Sequence, residues 1–163
     1  MTGAPLIFDD ISPGAFVLVS GFAALVVAKD RGGVRYGDSG RYRTGDYIWI
    51  RSTTSVPVHW CKPSQVEPMS LLGPVATDGE FLDAVAVLTD LLALQAILIS
   101  EWAGTLSAMN MPGTVVNPLR ETSDRIRLAS ETAAQAARAF KEQYGGARDI
   151  ASRGMRITGQ DTG

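Results

Sequence analysis

Cysteine and histidine are almost missing: Cys61 and His59 are the only examples in 163 residues. A single cysteine excludes an internal disulfide and suits a reducing compartment, so a cytoplasmic location is expected. One ligand of each kind is too few for a structural zinc, and acidic clusters with calcium-loop spacing are lacking too. A Ser-His-Asp or Cys-His nucleophile would have to use His59. Nothing near it in sequence supplies an oxyanion hole or a group to orient the imidazole. The plainer expectation is an edge-strand histidine beside a partly buried thiol. No Walker motif or dinucleotide fingerprint occurs, since Gly32-Gly33 and Gly37 to Gly40 join strands and not a strand to a helix. No enzymatic activity, cofactor or metal is expected.

Positive charge is missing from a long stretch, with no Lys or Arg between Lys62 and Arg120. Inside it, Phe81 to Ile99 is apolar enough to raise the question of a membrane span. Asp83 and Asp90 interrupt it, and a carboxylate near mid-bilayer costs about 2.5–3.5 kcal/mol on insertion scales. A protein-shielded helix is expected and no membrane span. A secretory signal is not expected either: Met1 to Asp10 has no basic segment followed by an apolar one, and it carries Asp9 and Asp10. The formal net charge of -2 argues neither for nor against a polyanionic partner.

What is present falls into two regimes meeting near Leu72-Gly73-Pro74. Residues 1–72 are rich in glycine, β-branched and aromatic residues, and residues 73–163 in Ala and Leu with a helical period. In the first regime Ala15 to Ser20 alternates, Ala23 to Asp30 makes a second strand, and Arg31-Gly32-Gly33 has the glycines of a tight hairpin. Val34-Arg35-Tyr36 restarts a strand, and Gly37 to Gly40 punctuates it. Asp46 to Arg51 is the clearest strand, with Ile48 and Ile50 on one face and Tyr47, Trp49 and Arg51 on the other. Val58-His59-Trp60 and a one-turn closure at Ser64 to Pro68 complete the set.

In the second regime Thr77 or Asp78 can cap a helix that has Glu80 in its first turn. Heptad steps place Phe81, Val85, Leu88, Leu92, Gln95, Ile99, Trp102, Leu106 and Met109 on one stripe, with Val87, Leu91, Leu94 and Leu98 on a second. A helix apolar on two faces needs two partners. Asn110 to Val116 is read as the turn, Asn117 as the cap and Pro118 as the first residue of the next helix. That helix carries Leu119, Ile126, Ala129, Ala133, Ala136 or Ala137, Phe140 and Tyr144 on one stripe. Gly145-Gly146 ends it, residues 147–153 make one more turn, and Thr158 to Gly163 is expected to be a mobile tail. The first helix has only acids and the second a mixture with five cations, which suits complementary packing.

Two surfaces carry a functional expectation. Arg35, Arg41, Arg43 and Arg51 lie close to Tyr36, Tyr42, Tyr47 and Trp49, a mixture that can bind a nucleic-acid strand or form part of an aromatic cage for a cation. Against that stands a structural role, with the aromatic face packed on another layer. The stripe Phe81, Val85, Leu88, Leu92, Ile99, Trp102 and Leu106 is either an intramolecular core or the face of a homodimer.

Pro13-Gly14 before Val17-Leu18-Val19, Gly33 to Tyr36 with Asp38 and Gly40, Tyr47 to Ile50 and Gln65 to Pro68 together resemble SH3-like barrels of the Tudor kind over residues 12–68. The run Phe140 to Gly146 with Asp149-Ile150-Ala151 resembles, over residues 112–153, small helical proteins of actinobacterial plasmids and integrative elements, some of them conjugal transfer proteins. The expected fold is therefore α+β, an N-terminal SH3-like small β-barrel followed by an antiparallel two-helix hairpin. The expected function is a non-enzymatic accessory or assembly protein with a protein partner, the alternative being a nucleic-acid-binding module.

Overall fold

The computed structural model describes residues 6–36, 40–53, 58–69, 75 and 77–144, apart from the side chain of Tyr144. The expected boundary at Leu72-Gly73-Pro74, the punctuation at 37–39, the helix end at Gly145-Gly146, the extra turn and the tail lie outside the described residues. The architecture is α+β: an antiparallel five-stranded sheet followed by two helices. The chain divides into two compact units, Met1–Ser70 and Leu71–Gly163.

The strands are β1 (Phe16–Val19), β2 (Phe22–Tyr36), β3 (Tyr42–Arg51), β4 (Val58–Cys61) and β5 (Val66–Pro68), in the order β4-β3-β2-β1-β5. Strands β1 to β4 pair in chain order, and β5 returns beside β1. One buried cluster draws on all five strands: Val17 and Val19, Ala24 and Val26, Ile48 and Ile50, Cys61, and Val66, with Ile11 from the N-terminal segment. A single small sheet whose strands all share one core has to curl around it. Leu6 is held by its N–H to the Val66 carbonyl (2.8 Å), and Phe8 lies under the cations of Lys29 and Arg31, with Asp9 pairing to Arg31. Residues Leu6 to Asp9 are therefore part of this unit.

Strand β1 turns into β2 through Ser20 (φ 51) and Gly21 (φ 84), a two-residue turn whose twist matches the strands it joins. Arg31-Gly32-Gly33 is not the expected hairpin. Strand β2 runs straight through it, and the register against β3 slips by one residue there and again at Val27. These are β-bulges, which bend a strand and increase its twist, and they let one 15-residue strand follow a curled sheet. Gly32, at φ 65, is the bulge glycine, with its N–H donating to the Asp46 carboxylate (2.9 Å). Glycine at a positive φ signals a bulge as readily as a turn, and the pairing of Tyr36 with Tyr42 decides between them.

Helix α1 (Asp78–Ala108) opens with a capping box in which the Thr77 hydroxyl accepts from the Glu80 N–H and the Glu80 carboxylate accepts from the Thr77 N–H. It ends at Asn110, whose φ of 59 is left-handed. Helix α2 (Gly113–Tyr144) begins five residues earlier than expected, with the Val116 N–H bonded to the Pro112 carbonyl. Pro118 therefore lies inside the helix, where it forgoes one backbone bond, and Asn117 is not a cap; its amide rests 3.2 Å from where a Cβ on Gly113 would sit.

Candidate functional site

The outer face of β3 puts Tyr47 and Trp49 side by side, and the bulge in β2 delivers Arg35 to both. Its guanidinium lies 4.8 Å from the Trp49 ring and 5.2 Å from the Tyr47 ring, and it pairs with the Asp30 carboxylate. Gly33 makes this possible, because a Cβ there would stand 2.5 Å from the Asp30 carboxylate oxygen. Tyr47 is buried, packs edge-on to Trp60 at 4.9 Å and donates its O–H to the Arg43 carbonyl (3.1 Å). The rings expected to cage a ligand cation thus hold the protein's own Arg35.

The seven residues of this candidate surface separate into two groups. Arg35, Tyr47 and Trp49 form the internal stack, and Arg51, half-buried, lies further along β3 opposite Leu25. Tyr36, Arg41 and Arg43 are exposed at the β2–β3 end, where Tyr36 and Tyr42 meet edge to face at 5.1 Å. Asp30, Gly33 and Trp60 belong to the stack and were not singled out from sequence. The Asp-x-x-Gly spacing before Arg35 was the signal available.

A second feature of the sheet unit is an open pocket of about 450 Å³ between the β1–β2 turn, the end of β3 and β4. Val19, Ala24, Ile50 and Cys61 form its apolar side, and Phe22 and Trp60 its rim. Ser52, His59 and Gln65 contribute polar groups, and no lining residue is an acid, a lysine or an arginine. His59 therefore sits in a concave surface and is not isolated. Burial pushes the Cys61 thiol up to about 11, so it stays protonated near neutrality and is a poor nucleophile. Among the described residues no group of three His, Cys, Asp or Glu side chains could hold a metal ion.

In the helical unit the two helices meet along a heptad seam. On α2 the inward residues are Val116, Leu119, Ser123, Ile126, Ser130, Ala133, Ala137 and Phe140, spaced alternately three and four apart. The Ser123 hydroxyl donates to the Ala96 carbonyl (2.8 Å) and the Ser130 hydroxyl to the Thr89 carbonyl (2.9 Å). Phe81 and Phe140 close one end at 4.9 Å between ring centres. A serine reaching the backbone of the opposite helix requires close approach, and Ala96 and Ala103, both buried, allow it.

This corrects the expected stripe on α1. Val85, Leu92, Ile99 and Leu106 keep their place near the seam, but the alternate positions are Thr89, Ala96 and Ala103, not Leu88, Gln95 and Trp102. Leu88 and Trp102 are exposed, Trp102 at 59%. On α2, Ser130 turns inward where Ala129 was expected. The physical reason is the same for both helices: close packing selects the smallest side chains, whereas a search for hydrophobicity selects the largest. Arg125 and Arg127 pair with Glu121, Asp124 and Glu131 along α2 itself, so these two cations serve their own helix.

By length and composition α1 is apolar enough to cross a membrane. Asp90 in its middle is half-buried, and desolvation raises its pKa above the usual carboxylate value. Comparison of the chain with family models, with curated proteins and with solved structures finds no match in any of the three.

Proposed function

We propose that the chain is a non-enzymatic accessory or assembly protein of a reducing, cytoplasmic compartment, and that a second copy is the partner of α1. One observation carries the reading. Phe81, Leu88, Trp102 and Met109 fall on a single heptad phase, interrupted only by Gln95, and apart from Phe81, which packs on Phe140, its apolar members are exposed. Exposed tryptophan within an apolar stripe is the usual anchor of an interface. A heptad phase with one polar residue matches a copy of itself, since such a residue sets register in paired helices. The likeness of residues 112–153 to small plasmid-encoded helical proteins supports the accessory role.

Light scattering coupled to size exclusion tests this. A dimer is expected, converting to monomer in Trp102→Ala. A monomer at concentrations of about 100 μM, too weak for a stable assembly, overturns it. So does flotation of the chain with lipid vesicles, which would make α1 a membrane element.

A second reading has its own observation: Tyr36, Tyr42, Arg41 and Arg43 are exposed together at one end of the β2–β3 ribbon. Stacking aromatics among arginines suit a single nucleic-acid strand. This reading expects salt-sensitive binding that falls in Arg43→Ala and Tyr42→Ala. Absence of binding to single- and double-stranded DNA and RNA at low salt removes it.

A further inference from the structure

We infer that the pocket beside β4 receives an uncharged apolar side chain, aromatic or branched, carried on an extended peptide of a partner protein. The inference rests on the reading of the chain as a binding protein, but it uses the sheet unit and not α1.

The chemistry of the lining sets the class of ligand. The floor consists of core side chains, Val19, Ala24, Ile50 and Cys61, so a ligand gains most by burying apolar surface there. Phe22, exposed at 54%, stands at the rim, and Trp60, which packs on Tyr47, borders it. An ion entering the pocket would leave water for a surface with no opposite charge, which is unfavourable. A phosphate, a carboxylate and a methylated ammonium are all poor fits.

The geometry favours a peptide over a free small molecule. Small-molecule sites enclose most of their ligand, whereas this pocket is open along one side. Its wall includes β4, which stands at the end of the sheet order with β3 as its strand neighbour. Among the described residues no strand lies on its outer side, and an extended peptide pairing there would point alternate side chains to one face. His59 and Cys61, two apart on β4, pair with Ile50 and Ile48 of the core face and line the pocket, which Trp60 also borders.

The test is an amide NMR titration of the full chain. N-acetyl-phenylalanine amide is expected to bind with a Kd on the order of 1 mM, a normal value for so small a ligand. Shifts should gather at Ser20, Phe22, Ser52, His59 and Trp60. A five-residue peptide with Phe at its centre is expected to bind about tenfold tighter, and its backbone N-methylated form to lose that gain. Phe22→Ser should weaken binding at least about fivefold, and Phe22→Tyr should retain it, which separates a lost contact from a lost fold. Absence of saturable shifts overturns the inference, as does equal binding of N-acetyl-lysine amide or N-acetyl-aspartate amide. Equal affinity of the peptide and the single residue removes the peptide and leaves a small-molecule site. None of these results depends on whether the chain dimerises.

Discussion

In the sheet unit the most buried side chains are large and branched: Ile11, Val26, Ile48, Ile50 and Val66. Along the helix seam most are small, Ala96, Ala103, Ser123 and Ser130 with Val116 at one end, while the buried Leu91 and Leu94 lie on another face of α1. A curled sheet encloses a volume, and that volume has to be filled. Two long helices meet along a line, and the seam is tightest where there is least to fill. The first arrangement places apolar bulk inside. The second leaves part of it outside: Leu88, Trp102 and Met109 are exposed although Leu91 and Leu94 are buried. The proposed dimer would use the unit that leaves part of its apolar bulk outside.

If that difference is real, opposite substitutions should harm the two units. The largest effect is expected from Ile48→Ala at the centre of the sheet core, where the side chain is fully buried. Loss of its transfer energy and the cavity left behind should cost about 2–5 kcal/mol, read by denaturant unfolding. A cost below about 1 kcal/mol would mean that the core is loose and the contrast false. In the helical unit enlargement is the harmful change. Ser123→Leu drives a branched side chain into the seam and should cost about 1–3 kcal/mol, whereas Ser123→Ala, which keeps the close approach, should cost about 0.5–1.5 kcal/mol for the bond to Ala96. Should the leucine variant prove the more stable of the two, the helices are not held by small residues.

The same difference decides what could be read before the structure was seen. In β3 the alternation of Ile48 and Ile50 with Tyr47, Trp49 and Arg51 is both a periodicity and a size pattern, and both point to the same face. Strands β1, β3 and β4 and the two helices were legible for that reason, whereas β2 was read as two strands and β5 as a one-turn closure. In α1 period and size disagree, since the seam of Thr89, Ala96 and Ala103 lies one residue away from the bulkier Leu88, Gln95 and Trp102. Only the cross-helix bonds of Ser123 and Ser130 reveal the true phase. The bulge at Gly32 was misread because local sequence shows a glycine's freedom without showing what pairs beyond it. The pocket was not legible at all: its lining comes from β1, β2, β3, β4 and the turn before β5, which only the folded sheet assembles.

A smaller effect tests how the sheet's outer face is organised. Gly33→Ala places a methyl against the Asp30 carboxylate and should release Arg35 from Tyr47 and Trp49. The expected cost is about 1 kcal/mol, since the pair is partly open to solvent. In combination with Asp30→Ala the two effects should not add, because both remove the same contact. Additive costs in the double-mutant cycle would show that Gly33 serves the backbone and not the ion pair.

The smallest effect concerns Asp90, and it sharpens the comparison from the helical side. Desolvation raises its pKa in the folded chain, so the folded state holds the proton more tightly than the unfolded one does. The stabilisation from that proton is complete below the unfolded value of 3.8 and is lost as pH rises through the folded value. At pH 7 the ionised group therefore weakens the helical unit. Asp90→Asn should raise the melting temperature at pH 7, by less than about 1 kcal/mol in stability because solvent still screens a half-open group. The advantage should vanish at pH 3, where the carboxyl is neutral in both states. If the variant is destabilised at pH 7, the carboxylate has a partner that rewards its charge. In that event α1 is covered more completely, and by a more polar neighbour, than its exposed tryptophan implies.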